Sequence, residues 1–181
     1  MRAAWVGLAA VGALAAAGCG STAKPKPAPP AARASIQVSS DFKPGAVIPR
    51  VHTCDGRDVS VPLRAAGLPA ATEELIVVMR DPDAPGGVFI HWAVALPRRG
   101  SAPMVLTAGA APAGAVLGRN SFGTVGYRGP CPPAGGAAHH YHITVYALRR
   151  PSALKPGFSA DAVAGLPVIA TGSLTGLYAR H

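Results

Sequence analysis

Glycine and proline divide this sequence into short pieces, and that division constrains the fold more than any other feature. The 181 residues include 22 glycines and 19 prolines, and the apolar runs between them are short. Short apolar runs bounded by Gly and Pro are typical of strands joined by turns. The sequence therefore predicts a mainly all-β domain. Its natural architecture is a β-sandwich of two antiparallel sheets with Greek-key connections and one or two short peripheral helices.

Four apolar runs are the strongest strand candidates. Residues 75–79 are continuously apolar, which indicates a central strand buried on both faces. Residues 89–96, 142–148 and 168–178 are the others, and Gly172 and Gly176 in the last allow close packing or a bulge. In residues 142–148 we expect Ile143, Val145 and Ala147 to share one face.

Other segments give weaker predictions. Residues 36–38 can start a sheet, whereas Pro49 and Pro62 interrupt the candidate strands 46–52 and 59–63. Ser159 can cap a short helix that ends at residue 163 or 164. Residues 100–118 give no clear prediction.

The N-terminus has the features of an export signal. Arg2 precedes an apolar run over residues 5–17, and small residues then lead to Cys19. This pattern predicts a lipoprotein signal peptide over 1–18 and lipidation at Cys19, which would anchor the protein on the extracytoplasmic side of the membrane, in the cell envelope. The alternative is cleavage near Ala17 and free secretion. Residues 19–35 form a Pro/Ala-rich tether, and residues 36–181 form the folded domain.

The chain is basic, with a formal net charge of +9. The basic residues are scattered, without the basic stripe and interleaved aromatics that nucleic-acid binders use, so we expect no nucleic-acid partner. The charge favours solubility and weak attraction to anionic polymers or lipid headgroups.

Two cysteines remain if Cys19 carries lipid. Cys54 and Cys131 are an even pair in an oxidising compartment, which predicts a disulfide between them. Two buried free thiols are the alternative. A structural zinc site is disfavoured because neither residue has a second cysteine nearby in the sequence.

A stiff acidic segment follows the first strong strand. Pro82 and Pro85 restrict the backbone around Asp81 and Asp83, so these carboxylates can be presented to a ligand, or can form an Asx-turn with their own backbone. His91 lies in the next apolar run, where a hydrogen-bonded core histidine is the simplest interpretation. Strand alternation places Trp92 on the face opposite His91, in the core.

A second polar segment spans 139–142. Alternation places His139 and Tyr141 on one face and His140 and His142 on the other, and no third ligand is evident, so no metal is expected. Before it, residues 129–133 form a stiff wall, in which Gly129 allows close backbone approach.

These motifs together resemble the phosphatidylethanolamine-binding protein family, in particular its bacterial Raf kinase inhibitor-like branch. The resemblance is carried by residues 81–85, His91, residues 127–133 and residues 139–141, with support from 54–56 and 172–178. It implies a β-sandwich with a small pocket for a phosphate-type anion and no cofactor. The implied ligand-binding residues are Asp81, Asp83, His91, Pro132, His139 and Tyr141.

The leading functional hypothesis is therefore a binding module, not an enzyme, that is tethered to the membrane through Cys19. Its partner would be an anionic small molecule or phospholipid headgroup, with a protein partner also possible. A hydrolase using a His/Asp pair is one alternative, and a protease or kinase inhibitor acting through its outer surface is another. Residues 172–176 read Gly-Ser-Leu-Thr-Gly, which resembles the Gly-x-Ser-x-Gly elbow pattern with Ser173 one position early. That pattern needs a strand-to-helix turn, and Ser173 lies in a predicted strand.

Overall fold

The computed structural model of the protein describes residues 34–98 and 100–181, which belong to one compact unit built mainly of strands. Two short 3-10 helices, Arg50–His52 and Ala160–Gly165, accompany the strands. The strands are β1 (Ala34–Ser35), β2 (Gln37–Ser39), β3 (Leu63–Ala66), β4 (Glu74–Asp81), β5 (Phe89–Pro97), β6 (Met104–Leu106), β7 (Val116–Leu117), β8 (His139–Leu148) and β9 (Val168–Tyr178). The expectation of a mainly β fold is confirmed. The predicted signal peptide, Cys19 and most of the tether lie outside the described residues.

The strands form two sheets. The larger has the order β1-β9-β8-β4-β5-β7, and the smaller has the order β2-β3-β6. The pairings between these strands are antiparallel except the parallel pair β1–β9. Within the larger sheet, β8-β4-β5-β7 has the spatial order of a Greek key, although β6 leaves for the other sheet between β5 and β7.

Strand β4 is the centre of the larger sheet, as its apolar run predicts. It pairs with β5 on one side and β8 on the other, and residues 75–79 are completely or almost completely buried. Leu75, Val77 and Met79 face the core between the sheets, which we call the inner face. Ile76 and Val78 face the opposite side, the outer face, where Phe158 and the 3-10 helix Ala160–Gly165 cover them. Burial on both faces explains why this strand shows no polar alternation.

The C-terminal strand shows why its glycines are needed. β9 has the predicted bounds, and a Cβ on Gly172 would overlap the carbonyl of Ile36. A Cβ on Gly176 would lie 2.5 Å from Cγ1 of Ile48. Both glycines therefore provide close packing of the kind anticipated. Strand β8, with Ile143, Val145 and Ala147 in the inner core as expected, begins earlier than predicted, at His139.

Two weak strand predictions are wrong, and proline is the physical reason. Residues 46–52 form one isolated bridge, Val47 to Leu177, followed by the helix Arg50–His52. In the other segment β3 begins only at Leu63, after Pro62. Proline has no N–H to donate to a ladder, so pairing cannot continue through either site.

Other segments match or extend the expectations. The segment at Ile36 changes sheets, since β1 pairs with β9 and β2 pairs with β3. Ser159 accepts a hydrogen bond from Asp161 N and caps the helix Ala160–Gly165, as its sequence suggested. Residues 100–118, which gave no clear prediction, contain β6 and β7.

Candidate functional site

A β-bulge lies where β4 and β5 meet the candidate site. Met79 pairs with Trp92 and Arg80 with Ile90, so His91 is an extra residue on β5 with no partner on β4. Ile90 packs against the outer-face cluster, whereas Trp92 belongs to the inner core. Trp92 is therefore in the core as expected, but the expectation of simple alternation is wrong, because the bulge interrupts it. Bulges often redirect a side chain next to a functional site.

Asp81, the last residue of β4, connects the two polar segments identified in the sequence. Its side chain is almost fully buried, and Oδ1 accepts a hydrogen bond from Asp83 N at 2.9 Å, which is the anticipated Asx-turn. Its Oδ2 lies 2.8 Å from His139 Nδ1 and 4.0 Å from His91 Nε2. The carboxylate thus serves both the local turn and a contact with a distant strand. His139 must donate from Nδ1, so its Nε2 is the ring nitrogen left for other partners.

His91 is held in the opposite way. Its Nδ1 donates toward the carbonyl oxygens of Arg128 and Gly129, at 2.9 and 3.0 Å, and Arg128 N donates to the His91 carbonyl. Burial lowers the pKa of His91, outweighing the carbonyl contacts and the charge of Asp81, which act to raise it. His91 is therefore a neutral imidazole at neutral pH, with Nε2 as an acceptor on the side of Asp81.

Tyr141 packs between the two histidines. Its ring centroid lies 5.2 Å from that of His91, edge to face, and 6.5 Å from that of His139. The side chain is fully buried, and its Oη has no hydrogen-bond partner among the residues the structure describes. Burial, followed by the nearby Asp81 carboxylate, raises the pKa of Tyr141, so the hydroxyl keeps its proton.

Asp83 lies at the surface and binds the start of β8. Its Oδ2 accepts hydrogen bonds from His140 N at 2.7 Å and His140 Nδ1 at 2.8 Å. The backbone bond from His140 is the largest reason that the pKa of Asp83 is lowered. His140 stacks on His142, whose Nδ1 lies 2.9 Å from Thr175 Oγ1. Asp83 therefore fastens the loop after β4 to β8.

These elements enclose a pocket of about 400 Å³. Four of the six predicted ligand-binding residues line it, namely Asp81, His91, Pro132 and His139, whereas Asp83 and Tyr141 support it from outside. The remaining lining residues are Ala84, Pro85, Phe89, Phe122, Cys131, Pro133 and Arg180.

Sequence reasoning missed three of these side chains. Phe89 and Phe122 pack edge to face with centroids 4.8 Å apart and form an apolar wall, and the Arg128 guanidinium lies 5.2 Å above the Phe122 ring. Arg180 donates to Asp55 at 3.1 Å. Phe89 could have been recognised as an aromatic residue two positions before His91. No local sequence signal marks Phe122 or Arg180 as pocket residues.

The disulfide between Cys54 and Cys131 braces one wall of the pocket. Cys54 N also donates to Pro130 O at 3.1 Å, and Gly129 N donates to Asp58 Oδ1 at 2.6 Å. A Cβ on Gly129 would overlap the His52 carbonyl, so glycine is required for this close approach. The wall is thus cross-linked through both covalent and hydrogen bonds.

The structure also bears on a metal site, on a membrane-spanning helix and on Ser173. Within residues 34–98 and 100–181, no group of three or more His, Cys, Asp or Glu side chains could hold a metal ion. None of the helices in those ranges has the length and apolar character needed to cross a membrane. Ser173 pairs with Thr144 in the middle of β9, so it does not occupy a strand-to-helix turn.

Comparison with known proteins agrees with this architecture. Residues 38–179 match the family described as phosphatidylethanolamine-binding protein. A UPF0098 protein of Pyrococcus horikoshii is 40% identical over 161 residues, covering 81% of this chain and 77% of the relative. A Mycobacterium tuberculosis protein named "Putative lipoprotein LppC" is 43% identical over 128 residues, covering 71% of this chain and 62% of that protein.

A solved structure gives the same result. The crystal structure of Escherichia coli YbcL, described as a member of the mammalian PEBP family, superposes with a TM-score of 0.73 at 33% identity, covering 81% of this chain and 99% of that one. The protein described here belongs to the phosphatidylethanolamine-binding protein family. The resemblance noted from its sequence motifs is confirmed.

Proposed function

We propose that this protein is an exported, lipid-anchored binding protein whose pocket holds a small phosphate-type anion, such as a phospholipid headgroup. The observation that carries the proposal is the contact between Asp81 and His139 Nδ1, at 2.8 Å. Because that contact fixes the ring, Nε2 of His139 is directed to other partners. When His139 is protonated, Nε2–H becomes a charged donor to an anion.

The rest of the pocket suits such a ligand. The Arg180 guanidinium lines the same space and adds a positive charge, although its Nε is engaged by Asp55. Both oxygens of Asp81 have protein partners, so in this proposal Asp81 positions His139 rather than binding the ligand. Phe89 and Phe122 offer an apolar wall for the alkyl part of a headgroup.

The supporting residues have distinct roles in this proposal. Pro132 shapes the wall beside the disulfide, and His91 contributes a neutral acceptor for a protonated group on the ligand. Asp83 and Tyr141 keep the loop and the histidines in place from outside the pocket. The family's description as phosphatidylethanolamine-binding supports a headgroup as the ligand class.

The test is a titration of the purified protein with phosphate, phosphoethanolamine and acetate, followed through the histidine ring signals by NMR. We expect saturable shifts at His139 with phosphate and phosphoethanolamine. The variant His139→Gln should weaken binding by about tenfold or more, because a charge-assisted hydrogen bond is lost. His142→Gln is the matched control on the same strand and should bind normally. An absence of saturation at millimolar ligand, or equal losses in the two variants, would reject the pocket as an anion site.

The membrane anchor is the second part of the proposal. It is supported by the small residues before Cys19 and by the name of the mycobacterial relative. Expressed in a bacterium with lipoprotein processing, the wild type should sediment with membranes, and Cys19→Ser should move it to the soluble fraction. Ser21→Ala is the control. Equal partitioning of wild type and Cys19→Ser would contradict anchoring.

A further inference from the structure

A second groove lies on the outer face of the six-stranded sheet, apart from the pocket at Asp81. Its volume is about 480 Å³, and it shares no lining residue with that pocket. Arg80 and Arg119 line it, together with Ser121, Ser159 and Asp161. Two guanidinium groups, from different segments of the chain, therefore line one groove.

Arg80 is a charged residue at the end of a row of buried apolar residues on β4. It follows Ile76 and Val78 on the outer face of β4, and those two residues are completely buried. The side chain is half-buried, and its one hydrogen-bond partner among the described residues is Tyr146 Oη, at 3.0 Å. A guanidinium has five N–H donors, so most of its donor capacity is not used by the protein.

Arg119 supplies the second charge from another segment. Its backbone N donates to Phe158 O at 2.9 Å, and its Nη1 donates to Gly123 O at 2.7 Å, so the side chain is oriented although it is exposed. Within the described ranges, neither Arg80 nor Arg119 has a carboxylate oxygen within 4.0 Å. These two charges are therefore available to an external anion.

The remaining polar groups in the groove set its balance. Asp161 is the carboxylate of the lining, and Ser159 Oγ donates to it at 3.3 Å, so two positive charges face one negative charge. Ser121 Oγ accepts a hydrogen bond from Ile90 N at 2.9 Å, which leaves its O–H free to donate. The groove thus offers hydroxyl and guanidinium donors with a net charge of about +1.

We propose that this groove is a second anion site, which binds a phosphate group through Arg80 and Arg119. Guanidinium groups match phosphate oxygens in paired hydrogen bonds, whereas a single carboxylate would satisfy fewer of the available donors. The groove is distinct from the pocket proposed above, because the two have no lining residue in common. The phosphate can come from a soluble ester or from a lipid headgroup, and the experiment separates these sources.

The test monitors the backbone amides of Ser121, Gly157 and Asp161 by NMR while inorganic phosphate is added to the purified protein. We expect these amides to shift and saturate in wild type and in His139→Gln. Arg119→Gln should weaken this response by about tenfold, since one charged contact is lost. Arg80→Gln should also weaken the response to phosphate by about tenfold. Because Arg80 is half-buried and its substitution can disturb packing, this result is interpreted together with that of Arg119→Gln.

Arg64→Gln is the matched control, since Arg64 is an exposed arginine on the other sheet. It should leave the response unchanged. A second arm uses phosphatidylcholine vesicles with and without phosphatidylglycerol. If inorganic phosphate saturates the response, a soluble phosphate is sufficient for binding. If the protein binds only to the anionic vesicles, and Arg119→Gln loses that binding, the ligand is a lipid headgroup. No response in either arm, or an equal loss in Arg64→Gln, would overturn the proposal.

Discussion

His91 and His139 lie beside the same carboxylate but have different environments. His139 faces Asp81 through Nδ1, and its side chain is partly accessible. His91 directs Nδ1 to two carbonyl groups, is buried, and has a lowered pKa. The ring of His139 is thus accessible to a ligand in the pocket, whereas His91 remains a neutral part of the wall. The two histidines acquire these roles through tertiary contacts with Asp81 and with the carbonyl groups of Arg128 and Gly129.

The lowered pKa of His91 predicts how stability depends on pH. The unfolded chain takes up a proton on this residue as pH falls through the ordinary value of 6.5, whereas the folded protein resists protonation. The titration of His91 therefore has no effect on the free energy of unfolding well above pH 6.5, and it lowers that free energy increasingly below pH 6.5. Urea unfolding at pH 8, 7, 6 and 5 should show the decline, and it should be smaller in His91→Gln, where no proton can be bound.

His181→Gln, which changes an exposed terminal residue, is the control for removing a histidine in general. It should keep the wild-type pH dependence. The interpretation fails if His91→Gln and wild type lose unfolding free energy in parallel between pH 8 and 5.

At the scale of elements, the sequence predicted the strands and the helix that apolar runs, Gly and Pro residues and local capping residues can indicate. β4, β5 and β9 were recognised because their runs are long and apolar, and the 3-10 helix after Ser159 because its cap is local. The short strands β6 and β7 were not recognised, since each is stabilised by its partner strand rather than by its own composition. Local propensity cannot specify such pairings.

The candidate site likewise has features that could be predicted from the sequence and features that could not. The rigid acidic loop and the histidine pair could be recognised from residue types, and the family resemblance grouped them. The bulge at His91 could not be predicted, because it is a property of the register between β4 and β5. Phe122 and Arg180 were missed for a related reason, since they reach the pocket from loops or strand ends distant in the sequence.

At the scale of the whole molecule, the disulfide connects regions that are far apart in the chain. Cys54 and Cys131 are separated by 77 residues, a span that contains β3 to β7. A cross-link over such a span lowers the conformational entropy of the unfolded chain, which stabilises the folded protein by about 4.5 kcal/mol in the loop-entropy treatment. We expect the double variant Cys54→Ser/Cys131→Ser to lose about that amount of unfolding free energy, measured by guanidinium denaturation.

The same loss should follow when wild type is unfolded in the presence of a reductant. Cys19→Ser should leave the unfolding free energy unchanged, because Cys19 takes no part in this bond. If the double variant is as stable as wild type, the cross-link does not limit the unfolded state and the predicted contribution is wrong.

The bulge at His91 has a consequence for how such a protein can diverge. The ladder between β4 and β5 does not require His91, since Ile90 and Trp92 already have partners on β4. Loss of this one codon would leave neighbours that alternate normally between the two faces of the sheet. A single deletion in a lineage could therefore remove this wall of the pocket while the pairings of the sheet stay as they are.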